Sequence, residues 1–256
     1  MINMIQLTIM SILRNMKRAF KEPKKAFRRM GILTRDTWRK IVTKDKYYYT
    51  ENYYRNRLSL KDAYKNVSDI LFDYFKPRNV IDFGCGNGFL LEYLNKRGCT
   101  VAGYEKSASS RSYQAKAIRK FINIFDVTEP LPLKEKYDLC ICSEVAEHIL
   151  QEKSELLVKN LIGSSDLIFF TAAPPGQGGT YHINCQQPEF WIKLFSLYDF
   201  VMDEESTKLL RARYRAALEI PFNNKARWFH TNLLIFRRKS TLLTRSKEDS
   251  RAFSKL

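Results

Sequence analysis

From Asn79 onward, short apolar runs alternate with helix-period segments, and this alternation narrows the fold more than any other feature of the chain. Strand-like runs fall at residues 79–83, 100–105, 121–125, 137–143, 166–173, 198–203 and 228–237. Amphipathic segments fit between them at residues 88–97, 109–119, 148–162, 187–197 and 206–218. Such a pattern predicts an α/β, doubly wound, mostly parallel seven-stranded sheet with helices on both faces. Ahead of it a helix is predicted through Phe75, with Ser59 as its cap, Asp62 at the capping-box position, and Ala63, Val67, Ile70, Leu71 and Tyr74 on one face. The 256 residues suffice for one domain of this kind with appendages. Ligands of such sheets bind beyond the carboxyl ends of the strands, where strand order reverses.

The first loop at those ends reads Val80-Ile81-Asp82-Phe83-Gly84-Cys85-Gly86-Asn87-Gly88-Phe89. Its glycines permit a tight turn and close approach of backbone to a ligand. Phe89 stands where a dinucleotide fingerprint wants its third glycine, and no basic residue is present to welcome a pyrophosphate. Asp82 offers a carboxylate instead, which suits a cationic ligand. The D-x-G-x-G-x-G run resembles the first motif of class I S-adenosylmethionine-dependent methyltransferases. Later elements are similar in order: Glu105 ends the second strand, and Phe125-Asp126-Val127 follows the third. The resemblance implies S-adenosyl-L-methionine as cofactor, with Glu105 on the ribose diol and Asp126 on the adenine amine. It places Asp82, Gly84, Cys85, Gly86, Gly88, Val127 and Ser143 among the other cofactor contacts. Read alone, Asp126 is equally a residue that starts an Asx turn.

The fourth strand runs into Cys142-Ser143-Glu144-Val145-Ala146-Glu147-His148, and the fifth into a glycine-rich loop, residues 174–184, that presents His182. Glu144 and His148 stand four apart with Glu147 beside them, so the three converge if helical. Two carboxylates and an imidazole suit either acid–base work or a divalent ion. The E-x-x-E-H run with a later histidine is similar to the metal-binding set of small-RNA 3′-terminal 2′-O-methyltransferases, and E-x-x-E-H also occurs in ubiquinone-pathway O-methyltransferases. The P-G-Q-G-G-T-x-H-x-N loop resembles a methyltransferase group found among glycan-biosynthesis genes. Catalysis is therefore expected from His148, Glu147 and His182. A Mg or Mn site of Glu144, Glu147, His148 and His182 is the less favoured alternative, because His182 stands 34 positions beyond His148. His230, inside the last strand pattern, is expected to pack.

Charge separates the ends from the body. The chain has 44 Lys+Arg against 27 Asp+Glu, a formal net charge of +17. Residues 1–60 account for +11 of it and residues 237–256 for +5, leaving the middle at +1. The expected organisation is a basic helical N-terminal extension and aromatic linker or lid at 1–58, a methyltransferase domain at 59–238, and a basic, disordered tail at 239–256. Basic arms suit an anionic membrane surface or, as second choice, nucleic acid. The N-terminal segment, with Ile5, Ile9, Ile12, Leu13, Met16 and Phe20 on one stripe, reads as an interfacial helix, a targeting segment or sequence ahead of a later start. Five cysteines with no C-x-x-C pair fit a reducing cytoplasm, at most peripheral to a membrane. Ser143-Glu144-Val145-Ala146 differs from the N/D-P-P-Y/F run expected for amide-type amines, which points to oxygen as acceptor, on a glycan, a lipid-linked sugar or another small molecule. RNA 2′-O-methylation and a non-catalytic binding module are the alternatives.

Overall fold

The computed structural model describes residues 49–131, 135–219, 221 and 225–241; the rest of the expected extension and tail lies outside them. Seven strands form one sheet: β1 (Asn79–Phe83), β2 (Thr100–Glu105), β3 (Ile122–Ile124), β4 (Leu139–Ser143), β5 (Leu167–Thr171), β6 (Phe200–Met202) and β7 (Leu233–Arg238). Their order is β3-β2-β1-β4-β5-β7-β6. β7 runs antiparallel to both neighbours, and all other pairs are parallel. The order reverses between β1 and β4, so the loops after these two strands flank the crevice where ligands of such sheets bind. The helices are α1 (Glu51–Asn56), α2 (Lys61–Phe75), α3 (Phe89–Lys96), α4 (Lys116–Arg119), α5 (Ser154–Ser164), α6 (Pro188–Ser196), α7 (Glu204–Leu218) and α8 (Trp228–Thr231).

The central strands are apolar at nearly every position because both faces are covered. Along β4, Leu139 and Ile141 pack with Val67 and Leu71 of α2, Leu91 of α3 and Leu210 of α7. Cys140 and Cys142 face the other way, into a core with Leu157 and Leu161 of α5 and Trp191 and Phe195 of α6. The two thiols therefore share a face, and both are free. Phe195 is fully buried, and truncating such a side chain costs about 3–5 kcal/mol.

Four expected elements differ. Ser59 does not cap α2: residues Arg57–Leu60 form a 3-10 turn continuing from α1, and the Ser59 hydroxyl donates to the Asn56 carbonyl at 3.1 Å. The helix expected at 109–119 is a 3-10 turn, Ala108–Tyr113, followed by the short α4. There the Ser110 hydroxyl donates to the Ser107 carbonyl at 2.9 Å, a local bond that competes with helix. The helix expected from 148 begins at Ser154, because Leu150 is extended between two 3-10 turns. The last strand starts at Leu233, since Trp228–Thr231 winds into α8 and buries Phe229 against Tyr64 and Tyr214. His230 thus sits on a short helix rather than in a strand.

Candidate active site

At the end of β1 the chain turns sharply. Gly84 and Cys85 donate their amides to the Tyr104 carbonyl at 2.7 and 3.0 Å. Gly84, Gly86 and Gly88 all have positive φ, between 54° and 75°, a region that side chains other than glycine's enter at a cost. At Gly86 the nearest atom to an added Cβ is a ring carbon of Tyr54 at 3.9 Å, so the turn leaves open space above its backbone. Asp82, below this turn, is 4% exposed. Burial, with a contribution from Glu105, raises its carboxyl to about 8. Glu105 at the end of β2 is buried too, and burial outweighs its hydrogen bonds and raises its proton affinity. Its oxygens accept from the Gly86 amide at 2.9 Å, the Ser107 amide at 2.8 Å and the Tyr54 hydroxyl at 3.1 Å.

After β3, Asp126 accepts from the amide and hydroxyl of Thr128 at 3.0 and 2.7 Å, which is an Asx turn, and pairs with Lys106 at 2.8 Å. Burial pushes its carboxyl up, but Lys106 and Thr128 prevail and hold it below the usual range. Val127 is buried in the core beside it.

The loop after β4 is not helical from Glu144. That residue has φ +55, its amide donates to the Thr171 hydroxyl and carbonyl, and only Ala146–His148 form a 3-10 turn. Ser143 shares a hydrogen bond with Thr171 at 3.0 Å. The Glu144 carboxylate accepts from Asn232 at 3.0 Å and Gln177 at 3.3 Å. Glu147 is fully buried beside the Glu144 carboxyl and the Ala173 backbone, and among the described residues neither of its oxygens has a hydrogen bond of good geometry. Burial, then the nearby charge of Glu144, pushes its carboxyl well above the usual range.

The glycine-rich loop is fastened to this turn. Ile183 and Asn184 donate their amides to the Glu147 carbonyl at 2.9 and 3.0 Å, and the Asn184 side chain donates to the Ala146 carbonyl at 3.0 Å. His182 is thereby brought to His148, ring centroids 5.0 Å apart. Each imidazole has Nδ1 against a backbone carbonyl, His148 on Tyr181 at 3.1 Å and His182 on Gln177 at 3.2 Å. A carbonyl only accepts, so Nδ1 carries the hydrogen in both rings, and Nε2 is the nitrogen left to face the pocket. Both Nε2 atoms face Glu147 Oε1, at 3.9 and 4.0 Å. Burial, aided by His182 and Arg57, lowers the His148 pKa to about 3, so its contact with Glu147 is not an ion pair at neutral pH. At Gly179 a Cβ would sit 2.1 Å from His182 Nε2, and only glycine leaves room for the ring.

The loops that bear these groups fall within one matched stretch and its continuation: residues 52–161 match the family model of a methyltransferase domain. That stretch is similar to a methyltransferase domain, and the seven-stranded sheet has the class I methyltransferase fold. The chain is 28% identical over 109 residues to a ubiquinone biosynthesis O-methyltransferase of Glaesserella parasuis serovar 5 (strain SH0165), covering 37% of this chain and 44% of that protein. It is 31% identical over 96 residues to the protein of the same name from Pelagibacter ubique (strain HTCC1062), covering 33% of this chain and 40% of that one. The match therefore spans less than half the length of these relatives. Among solved structures, the O-methyltransferase of a trans-AT PKS multienzyme from Brevibacillus brevis, in complex with S-adenosyl-L-homocysteine, aligns with TM-score 0.48 and 16% identity over 70% of this chain and 72% of that one.

Within this fold, the structure gathers Glu147, His148 and His182 so that one ligand atom from each lies within 4.8 Å of the others. The separation in sequence between the histidines, given above as the reason to disfavour an ion, is cancelled by the loop's return. Glu144 departs from the expected four-residue set, because Asn232 and Gln177 occupy its oxygens. Those two amides were not singled out from the sequence. Asn232 in particular has no local signal, since its place depends on where β7 begins. Of the segment expected as an aromatic linker or lid, only residues from 49 on are described. Tyr54 is buried on Glu105, and Tyr49 places its ring edge-on to His148, centroids 5.6 Å apart.

Proposed function

We propose that the chain transfers the methyl group of S-adenosyl-L-methionine to an oxygen of a small-molecule or glycan acceptor. The observation that carries this reading is the pair of imidazoles whose Nε2 atoms face one buried carboxyl at the same strand ends as the glycine turn. The names of the curated relatives, both O-methyltransferases, support an oxygen acceptor. On this reading Asp82 holds the cofactor's ammonium and Glu105 its ribose, the latter after exchanging the Tyr54 hydroxyl for ribose hydroxyls. The backbone at Gly84, Cys85, Gly86 and Gly88 admits the methionine end, while Asp126, Val127 and Ser143 line the rest. The acceptor oxygen attacks the methyl carbon, the carbon–sulfur bond breaks, and S-adenosylhomocysteine leaves with both bonding electrons on sulfur. The hydroxyl proton goes to Nε2 of His148, whose Nδ1 hydrogen bond to Tyr181 orients the ring.

The low proton affinity of His148 favours a second reading of the same atoms. Two Nε2 atoms and a buried carboxyl are a donor set for a divalent cation, and carbonyls on Nδ1 are the usual orienting partners of metal-bound histidines. Glu147, His148 and His182 would hold Mg or Mn, which when bound lowers the pKa of a coordinated hydroxyl. Metal-assisted RNA 2′-O-methylation belongs to this second reading. The test is transfer of labelled methyl groups by the purified chain into lipid, glycan, RNA and protein fractions of a cell extract, with and without chelator. Label in the glycan, lipid or small-molecule fraction that survives chelation is expected. Chelator-sensitive label in RNA selects the second reading, and failure to bind S-adenosyl-L-methionine in calorimetry refutes both.

A further inference from the structure

Arg57 follows α1 directly and turns its guanidinium over the Tyr53 ring, 4.3 Å from the centroid. The phenols of Tyr53 and Tyr64 also interact with it, and the group is only partly exposed. Among the described residues no carboxylate pairs with it, unlike Arg237 with Asp203 at 2.6 Å and Arg238 with Asp166 at 2.8 Å, and it has no backbone carbonyl of the kind that takes up Arg111, Arg119 and Arg211. Withdrawing a cation from water without a counter-ion is costly, and the arrangement lowers its free energy when an anion arrives. Its position says which ligand that is. Tyr53 packs edge-on against Tyr49 at 5.0 Å, and Tyr49 against His148 at 5.6 Å, so two ring contacts join the guanidinium to the imidazole pair. The same Tyr53 ring packs edge-on against Tyr54 at 5.2 Å, whose hydroxyl donates to Glu105, so the guanidinium lies between the imidazole pair and the edge of the glycine turn.

We infer that Arg57 is an oxyanion-binding residue of the acceptor pocket, and that the acceptor carries a carboxylate or phosphate besides the hydroxyl that is methylated. A planar guanidinium held against a tyrosine ring presents its N–H fork edgewise, the geometry that takes two oxygens of such a group at once. This rests on the methyltransferase reading, and the experiment separates the two. Calorimetry with S-adenosyl-L-methionine is done first; absence of binding refutes the parent reading and this one with it.

With the S-adenosylhomocysteine complex, binding is then compared within matched probe pairs: 3,4-dihydroxybenzoate against catechol for carboxylate, and glucose 6-phosphate against glucose for phosphate. One anionic member is expected to bind about 10- to 100-fold more tightly than its neutral partner, the range for a charge-assisted pair. Which pair discriminates identifies the anion. Arg57→Gln should erase the preference and leave the neutral member and the cofactor unchanged. Arg57→Lys, which keeps the charge but not the fork, should retain part of it and guards against a folding defect in the first variant. Equal binding within both pairs overturns the inference, as does a preference that survives Arg57→Gln. A matching loss of cofactor affinity in both variants also overturns it, because the guanidinium then serves the cofactor's own carboxylate.

Discussion

Asp82 lies 4% exposed beneath the glycine turn with its carboxyl raised to about 8, burial first and Glu105 second. In the free protein at pH 7 this group is therefore about 0.9 protonated. A cofactor ammonium set beside it favours the carboxylate, so binding should expel that proton. Release of about 0.9 proton at pH 7 is expected from this group, and between pH 6 and 7 the affinity should rise nearly tenfold. The window closes above about 7.7, where an α-amino group begins to lose its own proton. The sign for the free protein is opposite. A carboxyl whose folded pKa is raised lends stability that is complete below the unfolded value and is lost as pH climbs through about 8, so the free protein should melt lower at pH 8.5 than at pH 6 on this account. Calorimetry of S-adenosyl-L-methionine binding in buffers of different ionisation enthalpy counts the protons. Asp82→Asn isolates the group, keeping shape and an acceptor oxygen while removing the titration. Proton release that persists undiminished in Asp82→Asn, or wild-type affinity flat from pH 6 to 7, would refute the reasoning.

His148→Ala and His182→Ala should each cost on the order of a hundredfold in kcat/KM with cofactor affinity unchanged, because their Nε2 atoms face one carboxyl oxygen. A loss confined to one histidine in steady-state assays would mean they do not act together. Gly179→Ala should displace the His182 ring, which lies 2.1 Å from the added methyl, and lower kcat while the melting temperature moves by only a few degrees. Wild-type kcat in that variant would show that the position of His182 is unimportant.

Much of the site was legible because it sits where strands end. The Asp82 to Gly88 turn and Glu105 are local consequences of β1 and β2, and their residue types report directly on backbone conformation and charge. Glu147 and His148 were legible as a cluster, although the assumed reason was wrong. A left-handed Glu144 and a 3-10 turn bring about what a helix was expected to do. The Asx turn of Asp126 was one of two open readings, and its local half is what the structure displays.

By itself the sequence determined the layered α/β architecture, the strands' approximate places and the turn at Gly84 to Gly88, because each depends on periodicity or on the conformational range of one residue. It did not determine which side chains meet across distant loops. The return of residues 174–184 is enforced by amides of Ile183 and Asn184 on one carbonyl, Glu147, and that pairing has no periodic or compositional trace. Asn232 reaches Glu144 only because Trp228–Thr231 winds into a helix to bury Phe229, which delays the last strand. That Arg57 has no carboxylate among the described residues is likewise a property of the surroundings, since Arg237 finds Asp203 and Arg211 a backbone carbonyl. Proton affinities follow the same division: carboxyl groups of Asp82 and Asp126 are alike in sequence, yet burial beneath a turn raises one while Lys106 and Thr128 lower the other.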